Sequence, residues 1–275
     1  MLVPARGFEF SVFTDGPRDG TPVVLLHGFP QHSGQWNKVT GPLHEAGLRT
    51  IAIDQRGYSP GARPLDPASY AVTECVADVL SIVDTFGLSD FHVVGHDWGA
   101  AIAWGLAANF PSQVRSLVAI SVPHPAALAK ALRDDPDQQQ RSTYMGVFAN
   151  LDRSEPMLLA DDAQALRSLF SGSGMTESEV DAYVKPMREP GALRAALSWY
   201  TALAQGGLGG IAPVTVPTTY LWSDEDIALG KTAAEATRDY VAAGYRFVSL
   251  SGISHWVPDQ APEVVAAEIV ARVGG

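Results

Sequence analysis

The chain has 275 residues, of which 46% are apolar and 18% charged, and its formal net charge at pH 7 is −11. This composition is typical of a globular protein, and the length suits one large domain or one core with an inserted subdomain. Acidic and basic residues are intermingled and Lys and Arg form no run, so the sequence predicts no nucleic-acid partner and no polybasic membrane patch.

The sequence contains no recognisable targeting or membrane segment. The first residues lack a basic stretch followed by a long apolar one, and no later apolar run is long enough to span a bilayer. We therefore expect a cytoplasmic location. Cys75 is the single cysteine, which excludes an intramolecular disulfide and argues against a structural zinc site. We expect no metal or other cofactor, and a neutral or weakly polar small molecule as substrate.

Short runs of β-branched and apolar residues recur along the chain, with helix-like stretches between them. The runs cover residues 22–26, 49–54, 91–95, 114–121, 218–222 and 245–250. Between Asp78 and Phe86 the apolar residues follow helical spacing, and Gly87 provides a stop signal before the next run. The alternation predicts an α/β fold with a mostly parallel sheet flanked by helices.

The alternation stops between residues 123 and 213, where strand-like runs are replaced by helical spacing of Ala, Leu, Gln and acidic residues. The glycine-rich segment 206–210 is interpreted as a flexible return from this insertion. Residues 1–122 and 214–275 are predicted to form the core. Because ligands of open α/β sheets bind beyond the carboxyl ends of the strands, we expect the insertion 123–213 to cover the site as a helical lid.

The segment Gly95-His96-Asp97-Trp98-Gly99 joins the predicted strand 91–95 to a helix-like stretch. This glycine pattern is typical of a sharp strand-to-helix turn that raises its central side chain above the sheet, and the central residue is commonly a serine nucleophile. Here it is Asp97. A carboxylate can attack an sp³ carbon and form an alkyl ester, so the pattern predicts alkyl rather than acyl transfer. The alternative is that Asp97 serves as a helix N-cap.

The motif His27-Gly28-Phe29-Pro30 follows the predicted strand 22–26. At this position a loop N–H can help to bind an oxyanion, and the backbone of Phe29 together with that of Trp98 is the predicted pair of donors. His27 is interpreted as a structural histidine that is bonded within the loop, rather than as a base.

The general base is predicted to be His255, which follows the last predicted strand. It is the one histidine that gives the chain order nucleophile, acid, histidine that is typical of this elbow. The acid should follow the predicted strand 218–222, where Asp224, Glu225 and Asp226 compete. The acid is usually the fourth residue of a G-x-x-D-like turn, and counting Ser223 as the first residue selects Asp226, with Asp224 as the alternative. This acid would fix the histidine tautomer and stabilise the imidazolium.

These motifs together resemble the epoxide hydrolases of the α/β-hydrolase superfamily, over essentially the whole chain. The matching segments are HGFP at 27–30, DQRGYSPG at 54–61, GHDWGA at 95–100, SVPHP at 121–125 and SHWVP at 254–258. The resemblance implies an α/β-hydrolase fold with a helical cap. It also implies that an epoxide and water react to give a vicinal diol through an ester on Asp97.

In epoxide hydrolases, two lid tyrosines hydrogen-bond the epoxide oxygen. The resemblance assigns one role to Tyr200, in a Ser-Trp-Tyr segment that looks like the Asn-Trp-Tyr of the family, and the other to Tyr144. The segment of Tyr144 departs from the family at Ala149, where a glutamine commonly follows the phenylalanine. Tyr183 is therefore kept as the alternative to Tyr144. A phenol near its reference pKa of about 10 can donate to a developing alkoxide. The other interpretation is that these tyrosines only pack the lid.

A haloalkane or haloacid dehalogenase is the alternative function, because dehalogenases share the aspartate elbow. A resemblance to haloalkane dehalogenases implies a halide ligand, either Asn at the position of Phe29 or a tryptophan in the lid. Trp199 is the only tryptophan in the predicted lid sequence. Fluoroacetate dehalogenases use an arginine where Trp98 stands. A binding protein with a vestigial triad is the non-enzymatic alternative, although nucleophile, acid and base are all present.

Overall fold

The computed structural model describes residues 1–206 and 211–275. The strands of the described residues are β1 (Leu2–Ala5), β2 (Phe8–Asp15), β3 (Thr21–Leu26), β4 (Leu48–Ile53), β5 (Phe91–His96), β6 (Val114–Ile120), β7 (Thr218–Glu225) and β8 (Tyr245–Ser254). They form one sheet in the order β1-β2-β4-β3-β5-β6-β7-β8. The strands from β3 to β8 pair in parallel, whereas β2 pairs antiparallel with both β1 and β4. The predicted α/β class is confirmed.

All six predicted strand runs lie in the parallel part of the sheet, but β1 and β2 were not predicted. β2 carries the alternation of a strand with one exposed face, since Phe10 and Val12 are buried while Phe13 is 54% exposed. That alternation was a usable signal. β8 continues past the predicted end, residue 250, to Ser254. The prediction stopped early because the last residues of the strand are partly or fully exposed and carry no hydrophobic pattern, although they still pair with β7.

Helices cover both faces of the sheet. α1 (Asn37–Glu45) packs against the C-terminal α12 (Pro262–Gly274), and α2 (Val72–Thr85) packs against α3 (Trp98–Asn109). Successive side chains of β3 alternate between two hydrophobic clusters, one shared with α1 and α12 and the other with α2 and α3. The predicted helix 78–86 lies within α2, which begins earlier because Cys75 and its neighbours are also buried.

Helices also occupy the chain between β6 and β7. They are α4 (Pro125–Asp134), α5 (Pro136–Arg141), α6 (Thr143–Phe148), α7 (Leu151–Ser168), α8 (Glu177–Met187) and α9 (Ala192–Gly206). We call these six helices the cap. α6, α7 and α9 pack against one another, and the backbone of α7 departs from helical dihedral angles at residues 160–163. The rest of the predicted glycine-rich return, 207–210, lies outside the described residues.

The remaining helices are short: α10 (Lys231–Ala236) follows β7, and α11 (Val257–Gln260) follows β8. Across the described ranges, 1–206 and 211–275, none of the helices combines the length and apolar character that a membrane span requires.

The segment after β4 is held by a buried ion pair. Arg56 donates to both carboxylate oxygens of Asp78 in α2 at 2.6 Å, and its guanidinium also donates to the carbonyl of Ser69 at 2.8 Å. A buried charge is tolerated when it is paired and fully hydrogen-bonded, as it is here. The neighbouring Gln55 donates its main-chain N–H to His27 Nε2 at 3.0 Å. The ion pair therefore helps to position the loop that follows β3.

Candidate active site

Asp97 lies at the junction of β5 and α3 with φ 52° and ψ −122°, a strained conformation for a residue with a Cβ. Two glycines allow this turn. A Cβ on Gly95 would clash with the carbonyl oxygen of Gly99, and a Cβ on Gly99 would clash with that of Leu26. Asp97 occupies the N-cap position of α3, but its side chain makes no capping hydrogen bond. The carboxylate is therefore free for another purpose.

One oxygen of the Asp97 carboxylate is bound by the loop after β3. Oδ1 accepts the main-chain N–H of Phe29 at 2.8 Å, while Oδ2 lies 3.7 Å from His255 Nε2. Burial raises the pKa of Asp97, and the nearby His255 together with the amides of Trp98 and Phe29 offsets part of that rise. The structure thus brings the two predicted oxyanion donors, Phe29 and Trp98, to the predicted nucleophile.

His255 and Asp226 form a hydrogen-bonded pair beside Asp97. They follow β8 and β7, which are adjacent parallel strands, and His255 Nδ1 lies 2.8 Å from Asp226 Oδ2. The other carboxylate oxygen of Asp226 accepts the main-chain N–H groups of Ala228 at 2.8 Å and Leu229 at 3.0 Å. His96 Nε2 lies 2.9 Å from the His255 carbonyl oxygen, which ties the histidine loop to the elbow. Both oxygens of the buried Asp226 carboxylate are therefore hydrogen-bonded.

The alternative acid, Asp224, lies elsewhere. It is on the surface, where its carboxylate accepts the hydroxyl of Ser251 at 2.7 Å and the N–H of Gly252 at 2.8 Å. These bonds close the end of the β7–β8 pair and do not reach His255. The structure therefore places Asp226, and not Asp224, against the histidine.

The charges of these groups are coupled. Burial alone would lower the pKa of His255, but the carboxylates of Asp226 and Asp97 outweigh it and raise that pKa to about 9. Burial opposes ionisation of Asp226 as well, yet His255 and the two amides hold the pKa of Asp226 below its usual value. At neutral pH His255 is therefore an imidazolium in the free site, bonded to Asp226 and 3.7 Å from Asp97.

A cavity of about 410 Å³ lies between this group and the cap. Its walls are Phe29, Pro30, Asp97, Gln140, Arg141, Tyr144, Phe148, Leu169, Tyr200, Ile227, Ala228, His255 and Trp256. Tyr144 comes from α6 and Tyr200 from α9, and their rings meet edge to face with centroids 6.0 Å apart. Burial and the charge of Asp97 raise the pKa of both phenols well above 10, so both remain protonated donors.

Comparison with known proteins agrees with this arrangement. A family model described as "alpha/beta hydrolase fold" matches residues 21–262. The chain is 34% identical to the AB hydrolase superfamily protein YfhM of Bacillus subtilis, covering 96% of the chain and 94% of that protein. It is 31% identical to Epoxide hydrolase 4 of Mus musculus, covering 96% of the chain and 76% of that relative. The chain belongs to the epoxide hydrolase family.

Solved structures of this family share the whole architecture. A variant of an epoxide hydrolase from Bacillus megaterium, complexed with its product (R)-3-[1]naphthyloxy-propane-1,2-diol, is 25% identical with a TM-score of 0.89 over 100% of both chains. Epoxide Hydrolase A from Mycobacterium thermoresistibile is 25% identical with a TM-score of 0.86, covering 100% of this chain and 98% of that one. The matches to these solved structures therefore include the cap of this chain as well as its core.

The alternative lid donor, Tyr183, does not line the cavity of this family member. Its hydroxyl lies 3.2 Å from Asp259 Oδ1, and its ring stacks on Phe170 at a centroid distance of 5.6 Å. Of the two candidates, the structure places Tyr144 rather than Tyr183 beside Tyr200.

His27 is fully buried behind the nucleophile. Its Nε2 accepts the N–H of Gln55 at 3.0 Å, so the proton lies on Nδ1, which donates to the Gly28 carbonyl at 3.0 Å. Burial lowers its pKa to about 4, which keeps the ring neutral. The structure gives His27 the bonds of a loop-fixing residue.

Sequence reasoning missed most of the cavity wall. Phe148, Leu169, Ile227 and Trp256 line the cavity, and none was singled out. Ile227 and Trp256 each follow a triad residue directly, which was a usable signal, whereas Leu169 is brought in only by the course of the cap helices. No group of three or more His, Cys, Asp or Glu side chains within residues 1–206 and 211–275 could hold a metal ion.

A titration of His255 tests the assignment of the acid. Asp226→Asn should lower the pKa of His255 far below about 9, because it removes the carboxylate that stabilises the imidazolium. Asp224→Asn is the matched control and should leave that pKa within about 0.3 units. NMR of ring-labelled histidine measures both. A larger shift in the Asp224 variant would reverse the assignment.

Proposed function

We propose that this chain hydrolyses epoxides to vicinal diols through a covalent ester on Asp97. One observation carries the proposal: a carboxylate nucleophile and two protonated phenols line the same largely apolar cavity. An epoxide needs both, because attack on its carbon places negative charge on its oxygen. The names of the relatives and the diol-bound solved structure support the same substrate class.

In the first step the Asp97 carboxylate attacks one ring carbon and the C–O bond to that carbon breaks. The ring oxygen leaves as an alkoxide and takes a proton from Tyr144 or Tyr200, while the other phenol donates a hydrogen bond. The product of the step is an alkyl ester of Asp97. Because the phenols are desolvated, their hydrogen bonds strengthen as charge develops, so they favour the transition state over the bound substrate.

In the second step His255 takes a proton from water, and the hydroxide attacks the ester carbonyl carbon. The oxyanion forms on Oδ1, which the Phe29 amide binds, and the Trp98 amide also bonds to the Asp97 carboxyl group. As the oxyanion collapses, the alkoxide leaves and takes the proton of the added hydroxyl, which releases the diol and restores the Asp97 carboxylate. Ester formation has removed the negative charge of Asp97, which is one cause of the high pKa of His255. The His255 imidazolium therefore gives up its proton once the ester is present, and this proton restores the phenol that the first step left as a phenolate. The neutral imidazole can then act as the base, and Asp226 stabilises the imidazolium that forms when it takes a proton from water.

The geometry gives less support to dehalogenation. The cap tryptophan, Trp199, is buried against Tyr58, with ring centroids 5.4 Å apart, and is not part of the cavity wall. Arg141 does reach the wall, but its guanidinium is bound to Asp137 and to the carbonyl of Asp226, so it is not free to clamp the carboxylate of a haloacid.

Replacement of the base should separate the two steps. His255→Gln should still be alkylated at Asp97 but should release diol at least about 10²-fold more slowly, because general-base catalysis contributes that much or more. Intact-mass measurement after mixing with styrene oxide should show enzyme plus substrate. Alkylation by this variant should also need a higher pH than in the wild type, because loss of the imidazolium raises the pKa of Asp97 further. Unimpaired turnover by the variant would exclude His255 as the base.

Removal of the phenol donors should slow alkylation. Tyr200→Phe and Tyr144→Phe should each lose on the order of 10²-fold in the alkylation rate with an epoxide, by analogy with loss of one oxyanion donor, and the double variant should be nearly inactive. Tyr183→Phe is the matched control, since its hydroxyl faces Asp259. Pre-steady-state alkylation is measured beside bromide release from a bromoalkane of equal chain length. Brisk bromide release, no epoxide turnover and unchanged tyrosine variants would make the chain a dehalogenase.

A further inference from the structure

A second, much smaller chamber adjoins the cavity above Asp97. The two chambers share four wall residues, which are Asp97, Tyr144, Tyr200 and Ala228. The larger has a volume of about 410 Å³ and the smaller about 50 Å³. Asp97 and both phenol donors therefore border the large chamber and the small one alike.

This placement constrains how an epoxide can bind. The ring must lie where the two chambers meet, with one carbon against the Asp97 carboxylate and the oxygen toward the phenols. Its substituents then extend into the two chambers. A volume of about 410 Å³ is in the range of pockets that hold drug-sized ligands. One of about 50 Å³ has room for only a few atoms, since a single water molecule needs roughly 10–15 Å³.

Apart from the catalytic groups and Ser142, the wall of the small chamber is apolar. The cap contributes Leu128 of α4, Met145 of α6 and Leu203 of α9, and the core contributes Val122 and Leu229. A polar substituent would find few hydrogen-bond partners on such a wall. The chamber therefore suits hydrogen, methyl or ethyl, and a charged or strongly polar group there would lose its hydration without compensation.

The core side of this wall is rigid because it belongs to the turn that carries the acid. The N–H of Leu229 donates to Asp226 at 3.0 Å, and its carbonyl accepts the indole N–H of Trp222 at 3.0 Å. The adjacent Ala228 carbonyl accepts the amide of Gln138 at 2.8 Å. Displacement of this wall by a bulky substituent would break the bonds that hold Asp226 in place.

We infer that the small chamber selects the substitution pattern: the chain takes epoxides with one bulky apolar group on one carbon and at most a short alkyl group on the other. This inference rests on the proposed function. Epoxides with two bulky groups on opposite carbons are excluded, because a phenyl ring does not fit the chamber. Leu203 is the residue that sets this limit from the cap side, since it is half-buried and its side chain can change size without opening the core.

The test compares three epoxides that differ in one substituent: styrene oxide, trans-β-methylstyrene oxide and trans-stilbene oxide. For the wild type, kcat/KM for the first two should agree within about tenfold, and the third should fall by at least about 10²-fold. Leu203→Ala should raise the stilbene oxide to styrene oxide ratio at least about tenfold. Leu203→Trp should fill the chamber, reject the methyl compound and retain styrene oxide.

The matched control is Leu169→Ala, which removes the same atoms from the large chamber and should leave the stilbene oxide to styrene oxide ratio unchanged. Leu128→Ala is a second enlarging variant, and thermal unfolding checks that each variant is folded. Wild-type turnover of stilbene oxide at the rate of styrene oxide, or an unchanged ratio in both enlarging variants, would overturn the inference. If none of the three epoxides reacts with any variant, the proposed function itself is wrong.

Discussion

The position of the Asp97 carboxylate depends on a close contact between main-chain segments. Gly95 and Gly99 let β5, α3 and the end of β3 approach so closely that any Cβ at either position would clash with a carbonyl oxygen. The contact forces Asp97 into a positive φ and brings the Phe29 N–H within 2.8 Å of Oδ1. The strain is borne by the packed sheet beneath, and it holds the nucleophile in the orientation that attack requires.

Electrostatics connect this geometry to the two chemical steps. Two carboxylates, Asp97 and Asp226, lie on either side of one imidazole, and their combined charge keeps His255 protonated in the free site. In the mechanism that we propose, esterification of Asp97 removes one of those charges, so the same histidine changes from a counter-ion into a base within one cycle. The cap adds the two phenols to the wall of the same cavity, and we propose that they bind the negative charge that develops on the epoxide oxygen.

Much of this site could be predicted from the sequence, because the glycine elbow and the strand ends are short local patterns and the order of the triad residues is read along the chain. Asp97, His255 and the parallel strands are of this kind. Asp224 and Asp226 are two residues apart, and only the register of the β7–β8 pair decides which of them meets the histidine. Tyr144 lines the cavity and Tyr183 does not, and this difference depends on how the cap helices pack, which no short sequence pattern encodes. The chamber sizes likewise depend on side chains from separate elements, so they were beyond sequence reasoning.

The central claim is that Asp97 forms a covalent ester whose carbonyl carbon, and not the substrate, is attacked by water. A single turnover of excess enzyme with styrene oxide in ¹⁸O water tests it, with mass spectrometry of the peptide that contains Asp97 and of the diol. The account predicts ¹⁸O in the Asp97 carboxylate and an unlabelled diol from that first turnover. Label in the diol alone, with none in Asp97, would mean that water attacks the epoxide directly and would contradict the account.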